Sequence, residues 1–239
     1  WHYLCPKSES GPEPRFDHAA AVYGTRMYVS GGRTGDHRAL GDMWAFDVPT
    51  RQWAKLADSS AFGTRFGHAA AVGDSGFLYL YAGFLRSGST TATFSNGFYR
   101  CRVFEPQNGT ADILLQQVGC EDITDGCPEA TSSQCMHASD VGLSPRIGHT
   151  LLSYGTRVIA FGGNDASTLN LRGAFIFDET MCSWSRLSIS GDEVEGSVRT
   201  VEDIARHDHG SARMSAWMAV HGGVLDSAFL DSVYVLGAP

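Results

Sequence analysis

Nine histidines are spread over 239 residues, and four of them stand three positions after an arginine. The blocks are Arg15-Phe16-Asp17-His18, Arg65-Phe66-Gly67-His68, Arg146-Ile147-Gly148-His149 and Arg206-His207-Asp208-His209. Imidazole is the side chain suited to proton transfer near neutral pH and to binding transition metals, so a recurring histidine invites a catalytic or metal reading. The last block, an aspartate between two histidines, looks metal-like in isolation. In an extended strand, however, His207 and His209 share one face while Asp208 points to the other, which leaves two ligands at most. A residue required once per repeat also reads as scaffold rather than catalyst. His18, His68, His149 and His209 are therefore expected to begin strands and to hydrogen-bond backbone or a neighbouring unit, and His221, before a glycine, to lie in the core. The sequence has no Gly-x-Ser-x-Gly elbow, phosphate-binding loop or His-Glu-x-x-His helix. No catalytic residue, cofactor or metal is assigned.

Cysteine is the other reactive type. The six are Cys5, Cys101, Cys120, Cys127, Cys135 and Cys182. Their spacings are not the close pairs of a zinc site, and the even count makes all six disulfide candidates. Three fall between Cys120 and Cys135, in a polar stretch where a cross-link would stabilise a coreless loop. Asn108-Gly109-Thr110 is a glycosylation sequon, with Asn108 as acceptor. Together these favour a secreted or cell-surface location over the cytosol. A net charge of -8 argues against nucleic acid as partner, and no apolar run is long enough to insert in a bilayer.

The arginine blocks must be positioned by a repeating element. Each is followed, 16 or 17 residues after its arginine, by a small-residue doublet: Gly31-Gly32, Ala82-Gly83, Gly162-Gly163 and Gly222-Gly223. The arginines are 50, 81 and 60 residues apart, which suits a unit of about 50 residues with insertions. Within the first unit, His18–Tyr23, Arg26–Ser30, Asp42–Val48 and Gln52–Leu56 read as β-strands separated by turn signals. Trp53-Ala54-Lys55-Leu56 matches Trp184-Ser185-Arg186-Leu187, and Leu169–Phe177 supplies the third strand of the later unit. The second unit departs from the pattern: Ala82 replaces a glycine, and Leu114 stands where a tryptophan is expected on the outer strand.

With its Arg-x-x-His opening, glycine doublet, aromatic third strand and outer-strand tryptophan, the chain resembles the Kelch-repeat family over nearly its whole length. The resemblance implies an all-β fold, a β-propeller of four-stranded antiparallel blades. The units are an outer strand at 1–4, blades at 15–56, 65–117 and 146–187, and an incomplete blade at 206–236. A cysteine-bearing insertion at 118–143, able to project as a knob, and an acidic insertion at 189–204 separate them. Trp1-His2-Tyr3-Leu4 either closes a ring of four onto the last blade or, the preferred reading, belongs to a larger propeller of which this is a segment. Repeated structural residues are Arg15, Arg65, Arg146 and Arg206, expected in ion pairs, with the four histidines and Gly31, Gly32, Gly83, Gly162, Gly163, Gly222 and Gly223.

For such a propeller the resemblance implies binding of other proteins, perhaps within a larger complex, on the face carrying the loops from second to third and from fourth to first strands. Arg33, Asp36, His37, Arg38, Arg86, Asn164 and Asp165 lie on the former loops, and Asp192, Glu193 and Glu195 on the acidic insertion. A carbohydrate-binding or carbohydrate-modifying propeller is the alternative, and would require Phe84, Phe94 and Phe98 to be exposed together.

Overall fold

The computed structural model describes residues 11–58, 62–87, 91–103, 119–128, 136–187, 205–214 and 217–237. The first sheet orders β1 (Ala19–Tyr23), β2 (Arg26–Ser30), β3 (Met43–Asp47) and β4 (Gln52–Ala57) as an antiparallel meander. The β1–β2 and β3–β4 pairs are closed by short turns whose residues cannot continue a strand: Gly24 has φ +57° and Arg51 φ +57°. The Asp47 carboxylate accepts from the Thr50 backbone N–H at 2.9 Å and fixes the outer turn.

After β5 (Arg65–Phe66), the second sheet comprises β6 (Ala69–Val72), β7 (Phe77–Tyr81), β10 (Phe98–Arg102) and β11 (Cys120–Asp122). Its outer strand departs from the expected position. The segment around Leu114 lies outside the described residues, and the strand paired to β10 is Cys120–Asp122, inside the stretch assigned to the insertion. Cys101 and Cys120 face each other in that pairing and are joined by a disulfide. The cross-link takes the place of the tryptophan as the anchor of this strand.

The third sheet is β12 (Thr150–Tyr154), β13 (Arg157–Phe161), β14 (Ala174–Asp178) and β15 (Ser183–Leu187). Its third strand starts five residues later than Leu169, because Asn170 takes φ +60° and its N–H is held by the Asn164 side chain at 2.9 Å. The fourth sheet contains β16 (Gly210–Met214), β17 (Trp217–His221) and β20 (Val233–Gly237), three strands among the described residues.

Two of the loops between second and third strands are themselves paired. β8 (Phe84–Ser87) and β9 (Thr91–Phe94) form a hairpin that extends β5, and β18 (Val224–Leu225) pairs with β19 (Ala228–Phe229). The loop expected to carry Arg86 is thus a paired arm.

Inner strands β1, β6, β12 and β16 pack in sequence and border a cavity of about 680 Å³. Apolar seams fill the space between successive sheets. Tyr28, Met43 and Ala45 of the first meet Leu78, Leu80 and Cys101 of the second. Tyr79, Tyr81 and Phe98 meet Val158, Phe177 and Trp184 of the third. Burial of these large side chains contributes on the order of 2 kcal/mol each before entropy is counted. Phe98 is therefore core, stacked on Tyr79 at 5.6 Å and against Trp184 at 5.0 Å, and the exposed trio Phe84, Phe94 and Phe98 does not exist.

The described part of the cysteine-bearing segment, 119–128 and 136–143, packs on the sheets and does not project as a knob. Ile123, Ala138 and Leu143 are buried in the core between the second and third sheets, and Cys127 is bonded to Cys182 at the outer turn of the third. The Trp184 N–H donates to the Met136 carbonyl at 2.8 Å, so the segment lies along β15. Cys5, Cys135, Asn108, Trp1 to Leu4 and the acidic stretch with Asp192, Glu193 and Glu195 lie outside the described residues.

Candidate functional site

The four arginines share one geometry. Each sends a guanidinium N–H to the carbonyl of the first residue of its own doublet: Arg15 to Gly31 at 2.9 Å, Arg65 to Ala82 at 3.2 Å, Arg146 to Gly162 at 2.8 Å and Arg206 to Gly222 at 2.8 Å. The 16- or 17-residue offset in the sequence is the span of this bond. The second residue of the first three doublets then donates its N–H to the arginine carbonyl of the following sheet: Gly32 to Arg65, Gly83 to Arg146 and Gly163 to Arg206, at 2.8 to 2.9 Å. Side chain and backbone of Arg65, Arg146 and Arg206 thus link the sheets in series.

Among the described residues Arg15 is in the expected ion pair, meeting Asp42 at 2.6 Å. The positions matching Asp42 are Gly97, Gly173 and Ser232. There the guanidinium lies over a third-strand ring instead, Tyr99 at 4.6 Å, Phe175 at 5.3 Å or Tyr234 at 4.7 Å. Arg65 adds the Phe62 carbonyl, and Arg146 the Ser144 carbonyl at 3.0 Å. Burial pulls the pKa of Arg65 and Arg146 below the usual arginine range. For Arg65 and Arg146 these carbonyls and rings are the contacts of the guanidinium among the described residues.

The doublet explains why small residues are needed. A Cβ on Gly31 would stand 2.5 Å from the Arg65 carbonyl oxygen, and one on Gly162 the same distance from that of Arg206. Ala82 holds the equivalent place at φ +62°, a left-handed conformation that costs an alanine about 1 kcal/mol.

His68 and His209 cross the seams, His68 Nε2 to the Ser30 hydroxyl at 2.9 Å and His209 Nε2 to the Thr150 hydroxyl at 3.0 Å. His149 stands edge-on to Tyr81 with centroids 5.4 Å apart. Burial, reinforced by the neighbouring arginine, drops His68 and His149 well below the ordinary imidazole pKa and His209 to about 4. All three are neutral packing groups. Among the described residues no three His, Cys, Asp or Glu side chains come together to hold a metal. His221, expected in the core, is exposed at the far face of the fourth sheet.

The loop face gathers several of the candidate binding residues at the seam of the first two sheets. The Arg33 guanidinium sits between two phenylalanines, 4.6 Å from the Phe16 ring centre and 4.8 Å from that of Phe66, and pairs with Asp17 at 2.6 Å. Arg38 pairs with Glu13 at 2.6 Å, and both are exposed. His37 lies edge-on to Phe16, and Arg86 reaches from the β8–β9 arm to the His37 carbonyl. The Thr34 hydroxyl donates to Asp36 and holds its carboxyl below the usual range. Phe66, Phe84 and Phe94 continue the stack, with centroids 5.3 and 4.4 Å apart.

Asn164 and Asp165 stand apart from this cluster, on the third sheet. Asp165 caps its own loop by accepting from the Ser167 and Thr168 N–H groups, and Asn170 in that loop bonds His207 and Asp226 of the fourth sheet. Reading the sequence missed Phe16, Phe66, Asp17 and Glu13. The signal for the first two was a phenylalanine straight after the arginine in two of the four blocks.

The KLHDC2/KLHL20/DRC7 Kelch-repeats domain family matches residues 1–105. Tip elongation aberrant protein 1 of Schizosaccharomyces pombe (strain 972 / ATCC 24843) is 22% identical over 98% of the chain. Kelch-like protein 25 of Homo sapiens is 34% identical over 28% of it. The tRNA wybutosine-synthesizing protein 2/3/4 of Oryza sativa subsp. japonica is 34% identical over 34% of it. The chain spans 18%, 11% and 8% of these three relatives respectively. With its repeated Arg-x-x-His blocks, seam doublets and radially packed antiparallel sheets, the chain has the architecture of a Kelch-type β-propeller and is similar to the Kelch-repeat family, whose model matches its first 105 residues.

Proposed function

We propose that this protein is a non-catalytic interaction scaffold that binds other proteins through the loop face, as a component of a larger assembly. Kelch repeats commonly mediate protein–protein interaction. The observation that carries the finer reading is the cluster of Phe16, Arg33, His37, Arg38 and Arg86. Three guanidiniums and two rings are held on paired backbone, so little order has to be gained when a partner docks. The pairs of Arg38 with Glu13 and Arg33 with Asp17 are exposed enough to exchange for a partner's carboxylate at a cost of about 1 kcal/mol or less each.

A scaffold rather than an enzyme fits the use of the repeated histidines and arginines, which are engaged in seams. Two disulfides, Cys101–Cys120 and Cys127–Cys182, fit an oxidising compartment. No helix among the described residues is long and apolar enough to cross a membrane.

The test is cross-linking mass spectrometry in native extract with a double variant, Arg33→Glu and Arg38→Glu. The control is Arg157→Glu, at the opposite end of its sheet beside Asp178. The scaffold reading expects the first variant to lose partners that the control retains; identical partner sets for both would sink it.

A further inference from the structure

The three seams are not bonded alike at their loop end. In the first and third, three kinds of hydrogen bond cross. The doublet N–H donates to the arginine carbonyl. The residue before the histidine donates its N–H to its counterpart in the preceding sheet, Gly67 to Asp17 and Asp208 to Gly148, both at 2.8 Å. The histidine then meets a hydroxyl, that of Ser30 or Thr150. In the second seam the Gly83 bond to Arg146 is made at 2.9 Å, but among the described residues no bond joins Gly148 to Gly67. Both His149 nitrogens are buried there without a hydrogen-bond partner. The nearby Tyr81 carbonyl opposes the fall in the His149 pKa but takes no hydrogen bond from the ring.

The sequence accounts for the difference. Tyr81 and Ala69 stand where the other seams have Ser30 and Thr150, and the Tyr81 hydroxyl is engaged by the Ser144 carbonyl at 3.1 Å. A Cβ on Gly31 would come within 2.9 Å of His68 Cε1, and one on Gly162 within 2.8 Å of His209 Cε1. Ala82 carries that Cβ, which keeps His149 out of the pose of the other two. The same seam has a covalent tie. Cys127, just beyond β11 of the second sheet, is bonded to Cys182 in the outer turn of the third. The Cys101–Cys120 bridge stays within the second sheet, and no disulfide among the described residues crosses the first or third seam.

We infer that the Cys127–Cys182 bridge is a redox-controlled clasp, holding the second seam at its outer edge in place of the bonds missing at its loop end. Tyr79, Tyr81 and Phe98 packed on Phe177 and Trp184 keep the two sheets folded together, so the clasp sets how often the seam opens and not whether the chain folds. Its reductant is a dithiol. One thiolate attacks the Sγ of Cys127, the half-buried partner, and the S–S bond breaks with Cys182 leaving as a thiolate that takes up a proton. The second thiol of the reductant displaces Cys127 as a thiol, and the reductant departs as a disulfide, having passed two electrons to the protein.

Hydrogen exchange at the Gly83 amide reads the opening, with Gly32 and Gly163 as controls in the flanking seams. Cys127→Ser with Cys182→Ser should speed exchange at Gly83 by about 30-fold or more, the lower end of what losing a bridge does, and leave Gly32 and Gly163 unchanged. Adding Ala69→Ser and Ala82→Gly to the serine pair supplies a hydroxyl and removes the Cβ, and should slow Gly83 again. If the serine pair does not fold, the wild-type protein before and after dithiothreitol gives the same comparison. Equal acceleration at all three amides, none at Gly83, or no slowing by the added pair would overturn the inference.

Discussion

Arg15 and Arg146 hold the same place in two sheets and solve the same problem with different partners. Arg15 has a carboxylate, Asp42, which also accepts from the Trp44 indole at 2.6 Å. Arg146 has carbonyls and the Phe175 ring. What the two share is the bond to the doublet carbonyl, so the repeat is kept by the reach and planar fork of guanidinium and not by a counter-charge. The Asp42 carboxylate belongs to the first sheet, where the third has Gly173 at the matching position.

Removing the shared feature should have the largest effect. Arg146→Ala leaves the Gly162 and Ser144 carbonyls unpaired in a buried site and opens a cavity, so chemical denaturation should show a loss of about 3 to 5 kcal/mol. Arg146→Lys should recover less than half of that, because a single ammonium cannot span both carbonyls. Full recovery would show that charge suffices and would erase the contrast with Arg15.

The histidines of the seams give the next effect, through pH. His209 is neutral when folded, with its pKa brought to about 4, first by burial and then by Arg206, whereas the unfolded imidazole titrates near 6.5. Its contribution is complete above about pH 6.5 and is lost as pH falls towards 4, amounting to about 3 kcal/mol. His68 and His149 shift in the same direction and steepen the loss. His209→Gln should flatten the stability profile in that window, and an unchanged profile would mean that the imidazole is not buried neutral.

The doublets sharpen the comparison at smaller scale. Gly162→Ala should destabilise by about 2 kcal/mol, as its Cβ meets the Arg206 carbonyl. Ala82→Gly should raise the melting temperature, releasing about 1 kcal/mol of left-handed strain.

Smallest of the losses is Asp42→Asn, at about 1.5 kcal/mol, since the amide oxygen still accepts from Arg15 in this largely buried pair. Burial opposes the charge on Asp42, but the bonds from Arg15 and Trp44 outweigh it and hold the carboxyl below its usual pKa. Its stabilisation is therefore present above the unfolded carboxylate pKa and lost as pH falls through the folded one. The asparagine variant should lack that acid-side decline.

The sequence made the repeat legible because its devices are local. A fixed offset from arginine to doublet, glycines at left-handed positions and alternating apolar strands each leave a mark in one chain segment. What escaped depends on contacts between segments. The outer strand of the second sheet is three residues long and anchored by the Cys101–Cys120 bridge, so neither periodicity nor a tryptophan announced it. The ion pair expected for the arginines is present at Arg15, while the carbonyl partners of Arg65 and Arg146 went unread because a backbone carbonyl has no signature in sequence. Of the loop-face candidates, Arg33, Asp36, His37, Arg38 and Arg86 meet at one seam, while Asn164 and Asp165 serve their own loop. That division follows from which loops fold into paired arms, such as β8 and β9, and is invisible before the sheets are assembled.

Native-state hydrogen exchange at the Gly83 and Gly163 amides tests most directly whether the arginines join the sheets in series. Both N–H groups donate to an arginine carbonyl across a seam, at 2.9 and 2.8 Å. They should be as protected as the strand cores in the wild type, and Arg146→Ala should lower both protections together while sparing Gly32. Loop-like exchange at these amides in the wild type, or equal loss at Gly32, would contradict the account.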